Sequence, residues 1–318
     1  MSPERFTYPD KPGQPFIIPR EEMPQIRKLT PSEKEQLGLT EKKKGRRRRA
    51  EEESGRISFA EAEAILGRDF LGPEMASKVW GFQGEAPPIP FTREDLERAK
   101  ELGQFLVLRI DRTPDGEPLT MLKIHEYLMP KYQAKNQGKV LYDTTEQWKL
   151  DSDFFTVETP RIQWALVSKE VLPGSTSANY LIQTEHLADY LRGQVFRGRS
   201  LPQEYEEAVT EFENAKPDII ALMTSDWQKA AEKLENLKIT KMLRPVPVDV
   251  LYDTASYLQY NNVRRLEDKY AWTSRRSSDG GLVRVGGADA GGASVSRWRP
   301  GSSSSDLGVV FSRSLFLP

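Results

Sequence analysis

The sequence predicts an α+β fold, with capped amphipathic helices through the N-terminal and central parts and a small antiparallel sheet at the C-terminus. Three observations carry this. Helical periodicity recurs from Ser58 to Val263 behind recognisable caps. Two short apolar runs, 105–110 and 164–168, interrupt it as strands. After Trp272 the composition changes to Gly- and Ser-rich stretches that separate three strand-like runs.

Residues 1–55 lack apolar periodicity and carry seven prolines between Pro3 and Pro31. They include a basic run at 42–49, which opens on Lys42 and closes on Arg49, followed at once by Glu51, Glu52 and Glu53. Such a segment buries too little apolar surface to offset its ordering entropy, so a disordered tail is expected. The basic run could touch phosphates, but it has no interleaved aromatics and the acidic run beside it cancels part of its field. Nucleic acid is therefore an alternative partner class and not the favoured one.

A helical region over 56–100 follows. Ser58 with Glu61 has capping-box spacing and opens a helix that buries Phe59, Ala62, Ile65 and Leu66 and stops near Gly67. Pro73 starts a second helix through Val79. Thr92 caps a third that ends near Gly103. From about residue 101 to 318 a larger domain is expected. Its elements are the strand 105–110, a turn at Thr113-Pro-Asp-Gly116, a helix opened by Thr120, and the strand 164–168. Helices then follow over 175–190, over 204–237 with a break near Pro217, and after Pro245 and Pro247 into Val263.

Composition excludes several function classes. With 46 Lys+Arg against 47 Asp+Glu, no global field draws in nucleic acid or anionic membrane. There is no cysteine, which removes disulfides, zinc–thiolate sites and thiol nucleophiles. His125 and His186 are the only histidines, too few for a three-histidine metal site, and no cofactor is expected. Asp151 and Asp153 read as solvated loop charges. No run approaches the roughly 20 apolar residues of a membrane span, and no signal-peptide core opens the chain. A cytoplasmic, non-enzymatic protein is the expectation, with surface display by another route compatible with it.

The C-terminal runs are 282–285, 293–298 and 307–312, separated by Gly286-Gly-Ala-Asp-Ala-Gly-Gly292 and Gly301-Ser-Ser-Ser-Ser-Asp306. A flexible tail has no use for Trp272, Val283, Val285, Val295, Trp298 and Phe311, so an ordered sheet is predicted. After Lys269 there is no Lys, Glu, Gln or Met. Codons ending in a pyrimidine cannot encode those four or Trp, whereas adenine-mutated AAC or AAT codons can yield Ser, Gly, Ala, Asp, Arg, Val and Leu, the palette found here.

Tyr270-Ala-Trp-Thr273, Arg276-Ser-Ser-Asp-Gly280, Val283, Val285-Gly286 and the closing Leu307-Gly-Val-Val-Phe-Ser-Arg313 resemble the variable proteins of diversity-generating retroelements. The resemblance extends more weakly over 57–268, including Leu102-Gly-Gln-Phe-Leu-Val-Leu-Arg109 and Trp164-Ala-Leu-Val-Ser-Lys-Glu170. It implies a C-type-lectin-like domain with helical insertions and a variable region at 273–313 that is rewritten by an error-prone reverse transcriptase. Carried over residue by residue, it makes Trp272, Val283, Val285, Val295, Trp298 and Phe311 scaffold, together with Thr273, Ser277, Ser278, Asp279, Gly280, Pro300 and 307–313. The diversified ligand-binding positions are then Arg284, Gly287, Ala288, Asp289, Ala290, Ala293, Ser294, Ser296, Arg297, Arg299, Ser302, Ser303, Ser304, Ser305 and Asp306. The partner is an unknown protein or surface ligand, and Arg284, Arg297 and Arg299 favour an acidic one.

Val295 and Trp298 are three apart, so both can face the core only if a bulge intervenes or the strand ends. The lectin-like formylglycine-generating enzymes need cysteine. Calcium-dependent sugar binding lacks its Glu-Pro-Asn and Trp-Asn-Asp ligand triplets. The remaining alternative is a structural or phage-associated assembly protein, although no sustained heptads are present. The strand 105–110 is expected to pair antiparallel with 309–315.

Overall fold

The computed structural model describes residues 57–315. The expected tail and its basic run lie outside the described residues. The chain from Gly55 onward forms one unit by itself.

Ser58 accepts from the Glu61 amide while the Glu61 carboxylate accepts from the Ser58 amide, a closed capping box that starts α1 (Phe59–Leu66). Phe59 lies on the exposed side, its ring 5.6 Å from that of Trp164, and is not the core residue that periodicity suggests. β1 (Phe70–Leu71), α2 (Pro73–Trp80) and α3 (Arg93–Glu101) follow. Thr92 caps α3 through a reciprocal bond with Asp95. β2 (Gln104–Arg109) is buried along its whole length. α4 (Met121–Ala134) is capped by Thr120. The short helices α5 (Gln147–Leu150) and α6 (Asp153–Thr156) lead into β3 (Gln163–Ser168).

α7 (Tyr180–Tyr190) begins five residues later than expected, because Asn179 caps it by accepting from the Ile182 amide. The Ser175 hydroxyl serves elsewhere, as described below. α8 (Gln203–Ser225) runs through Pro217 without a break. Pro217 sits on the exposed side, where the carbonyl that loses its amide partner can turn to water. The interruption comes instead at Asp226, whose carboxylate caps α9 (Trp227–Asn236). α10 (Lys238–Leu243) and α11 (Pro247–Asn261) complete the helices.

α11 is the central helix of this unit. Every residue from Pro247 to Gln259 is buried. One sheet, ordered β1-β2-β3-β8 with β8 spanning Ser312–Ser314, has α1 and α3 on one face, with Leu96, Leu106, Leu108 and Trp164 in a shared core. On its other face Phe105, Val107, Ala165 and Val167 meet Leu251, Ala255 and Tyr257 of α11. The second sheet comprises β4 (Tyr270–Arg276), β5 (Leu282–Gly286), β6 (Ser294–Trp298) and β7 (Leu307–Gly308), in the order β6-β5-β4-β7. It places Ala271, Val283, Val285 and Val295 in the α11 core. The architecture is α+β, as the sequence predicts.

One predicted pairing is overturned. β2 pairs antiparallel with β3, from Gln104↔Ser168 to Arg109↔Gln163, and the last strand, β8 (Ser312–Ser314), pairs with the far edge of β3. The run 307–312 is not one strand. β7 joins the second sheet and β8 the first, and residues 309–311 cross between them. Side-chain hydroxyls support the crossing: the Val309 amide donates to Ser175 Oγ at 3.1 Å and the Phe311 amide to Ser168 Oγ at 3.0 Å. These bonds replace the ladder that a continuous strand would have made.

Candidate ligand-binding surface

The second sheet decides where the proposed binding residues face. β5 and β6 pair without a bulge, from Leu282↔Trp298 to Gly286↔Ser294. Alternation therefore puts Val283, Val285 and Val295 on the α11 side, where they are 0%, 1% and 3% exposed. Arg284, Ser294, Ser296 and Trp298 take the opposite side, together with Tyr270 and Trp272 of β4. Trp272 is fully buried there, edge-on to Tyr180 at 5.6 Å, and Phe311 is buried against Tyr190 at 5.2 Å.

Trp298 departs from its expected role. With no bulge in β6 it cannot share the face of Val295, and it is half-buried instead of core. Its ring forms one wall of a slot occupied by Arg284. The guanidinium carbon of Arg284 lies 3.6 Å from the Trp298 ring centroid and 4.4 Å from that of Tyr270, and Nε donates to Ser296 Oγ at 2.8 Å. Partial burial lowers the Arg284 pKa, with Tyr270 and Asp306 opposing the shift. This Arg–aromatic layer was legible only in part. Tyr270 stands two residues before Trp272, so strand alternation puts it on the same face, but nothing local says that a cation would stack on it.

The loop 287–293 is docked, not free. Gly287 and Gly292 adopt φ of +57° and +105°, and the backbone between them lies along residues 137–142. The Lys139 amide donates to Ala290 O at 3.1 Å, the Ala293 amide to Val140 O at 2.9 Å, and the Tyr142 amide to Ala293 O at 3.0 Å. Arg264 Nη1 clamps Ala288 O and Asp289 O from the other side. As a result Ala288 and Ala293, expected at the surface, are 7% and 4% exposed and belong to the core. Asp289 and Ala290 are exposed, and Gly287 is half-buried beneath Tyr270.

The second loop carries Arg299 on the surface, its guanidinium 5.1 Å from the Trp227 ring. Ser303 and Ser305 are exposed, and Ser302, Ser304 and Asp306 are half-buried. Backbone bonds pin this loop: the Ser177 amide donates to Ser304 O at 2.8 Å and the Tyr270 amide to Asp306 O at 2.7 Å.

The three arginines do not converge on one patch. Arg297 lies on the face opposite Arg284, paired with Asp279 and 4.1 Å from the Trp148 ring. Burial alone would raise the Asp279 pKa, but bonds from Ser277, Arg297 and the Gly281 amide hold it below its usual value. Arg284 is the centre of a mixed polar–aromatic surface with Tyr270, Trp298, Ser296 and Asp306. Arg297 and Arg299 sit outside it. Among the described residues no group of three or more His, Asp or Glu could hold a metal ion, and no helix is long and apolar enough to cross a membrane. No protein-family model matches this chain, and no curated protein or solved structure matches it significantly.

Proposed function

We propose that this protein is a ligand-binding member of the retroelement-diversified variable proteins, with a C-type-lectin-like fold and its binding surface within 273–313, and that it is not an enzyme. The observation that carries the reading is the division of labour along β5 and β6. Val283, Val285 and Val295 are buried, whereas Arg284, Ser294 and Ser296, interleaved with them, are half-exposed. A rigid main-chain frame of that kind tolerates exchange at its outward positions with little loss of stability. The pyrimidine-ending codon palette after Lys269 supports the same reading.

The binding surface proposed here is smaller than the full set of palette positions. It consists of Arg284, Gly287, Ser294, Ser296 and Asp306 around the Tyr270–Trp298 slot, flanked by Asp289, Ala290, Arg299 and the serines 302–305. Arg284 enters a contact as a stacked cation with one committed donor, which suits an acidic group approaching edge-on.

Sequencing the gene and its flanking DNA in several isolates tests this. The expected result is a near-repeat of the codons for 273–313 beside a reverse transcriptase gene. Isolates should differ at Arg284, Ser294, Ser296 and 302–306 but never at Val283, Val285 or Val295. Substitutions spread evenly over both sets would overturn it.

A further inference from the structure

A cleft of about 820 Å³ opens where the link between α10 and α11 passes β8 and the far end of β4. None of the fifteen proposed variable positions lines it. Its walls carry an unusual density of buried polar atoms without partners. Eleven such side-chain atoms occur among the described residues, and five belong to residues of this cleft: Arg244 Nε and Nη1, Asp249 Oδ1, Glu158 Oε2 and Gln163 Oε1. A buried polar atom without a partner is costly, so five around one cavity make it a place that favours polar contacts.

Arg244 is the focus. It is 3% exposed, and its guanidinium carbon lies over the Tyr180 ring, 3.8 Å from the centroid. Nη2 is committed to Tyr180 O and Thr184 Oγ1, both at 3.1 Å, which fixes the group while leaving the hydrogens of Nε and Nη1 without acceptors. No carboxylate pairs with it among the described residues. Burial depresses its pKa to about 10, which still leaves it a cation at neutral pH. α11 begins at the same place. Val246, at the N-cap, supplies no side-chain cap, and both Val246 and Asp249 line the cleft, so the positive end of a 15-residue helix adds to the field. The acceptors are also held in place. Asp249 Oδ2 receives Arg109 Nη1 at 2.7 Å and Glu158 Oε1 receives Arg275 Nε at 2.5 Å, which leaves the second oxygen of each carboxylate for a donor.

We propose that this cleft is a second binding site, taking a small ligand whose anionic oxygens, carboxylate or phosphate, seat on Arg244 while its hydrogen-bond donors meet Asp249, Glu158 and Gln163. The volume lies within the usual range of small-molecule pockets. A carboxylate bearing an ammonium group and a bare phosphate differ in whether they use the acceptor side of the cleft.

The experiment titrates the full chain with L-serine, inorganic phosphate and acetate, each followed by calorimetry and by thermal unfolding at constant ionic strength. The expected result is saturable binding of L-serine or phosphate that weakens at least about tenfold in Arg244→Gln, as the loss of a charge-assisted contact requires. Binding should be unchanged in Arg192→Ser, which alters an exposed arginine outside the cleft. L-Serine binding above acetate assigns the acceptor side to an ammonium group, and phosphate binding alone assigns the site to a phosphate. Should Arg244→Gln fail to fold, Ser314→Trp fills the cleft from its half-buried rim and is expected to abolish binding. Saturable binding by none of the three, or binding that survives in the cleft variants, overturns the proposal and leaves the cleft a water-filled cavity.

Discussion

Arg109 on β2 and Asp253 on α11 face each other through two bonds, Nε to Oδ1 at 3.0 Å and Nη2 to Oδ2 at 2.6 Å, both side chains buried. Asp249, one helical turn earlier, takes Nη1 at 2.7 Å, and Ser312 Oγ lies 3.1 Å from Nη2. One arginine thus ties β2 to the central helix and touches β8. Burial opposes its charge, but Asp249 and Asp253 outweigh burial and raise its pKa.

Removing the cation alone should therefore be severe. Arg109→Met leaves two buried carboxylates facing each other and is expected to cost about 3–5 kcal/mol. Replacing Arg109, Asp249 and Asp253 together by apolar residues of similar size should recover most of that loss. Urea unfolding midpoints of the single and triple variants check the pair. A single variant that unfolds at the wild-type midpoint shows that the triad does not support the fold.

Asp249 also sets a pH dependence. Burial pushes its carboxyl up to about 6, against the pull of Arg109 and with help from Asp253. Folded protein then holds this proton between roughly pH 4 and 6, where an unfolded aspartate, with a pKa near 3.9, has lost it. The contribution is full below pH 4, falls as pH rises through 6, and is absent above. Its size is on the order of 2–3 kcal/mol. Asp249→Asn should remove this component, so the stability difference between wild type and variant should shift against the wild type from pH 4 to pH 7. A difference that stays flat over that range contradicts it.

The docking of the 287–293 loop rests on a glycine across from it. Gly138 has φ +79°, and a Cβ there would lie 1.9 Å from Ala290 O. Gly138→Ala should push the two backbones apart and destabilise the fold by about 1–3 kcal/mol. Hydrogen exchange locates the effect: the amides of Lys139, Tyr142 and Ala293 should lose protection first. Loss of protection spread evenly over the chain would place the strain elsewhere.

Scaffold and surface positions should separate in thermal unfolding. Trp272→Ala is expected to cost about 3–5 kcal/mol. Joint replacement of Asp289, Ala290, Ser303 and Ser305 by other palette residues should cost no more than about 0.5 kcal/mol per site. Ala293→Leu, at a palette position that is buried, should behave like a core change and lose about 1–3 kcal/mol. Equal losses in all three would remove the division between frame and surface.

The slot at Arg284 is tested by a double-mutant cycle. Arg284→Ser and Trp298→Phe should couple by about 0.5–2 kcal/mol if the guanidinium stacks on the indole as found. Additive effects would mean that the stack contributes nothing.

Local chemistry was written plainly in the sequence. The capping box at Ser58, the Thr92 and Thr120 caps, the turn ending in Gly116 and the β5 alternation of Val283, Arg284 and Val285 all depend on residues within a few positions of one another. Their bonds close over three or four residues, so neighbours suffice to specify them. Pro217 shows the limit of that logic, because whether a proline breaks a helix depends on whether the freed carbonyl reaches water, which is a matter of burial.

By itself the sequence determined the α+β class, most element positions, the buried side of β5 and the palette of the C-terminal segment. Only the tertiary structure decided that α11 is buried throughout despite Asp249 and Asp253, because their charge is met by Arg109 about 140 residues away. The same holds for Ala288 and Ala293, buried by the backbone of 137–142, and for Trp298, whose place follows from its register opposite Leu282. It holds too for the last residues, where the hydroxyls of Ser168 and Ser175 carry the chain from one sheet to the other. In each case the deciding contact joins segments far apart in the chain. Their meeting is set by the closure of the whole core, which no local run of residues encodes.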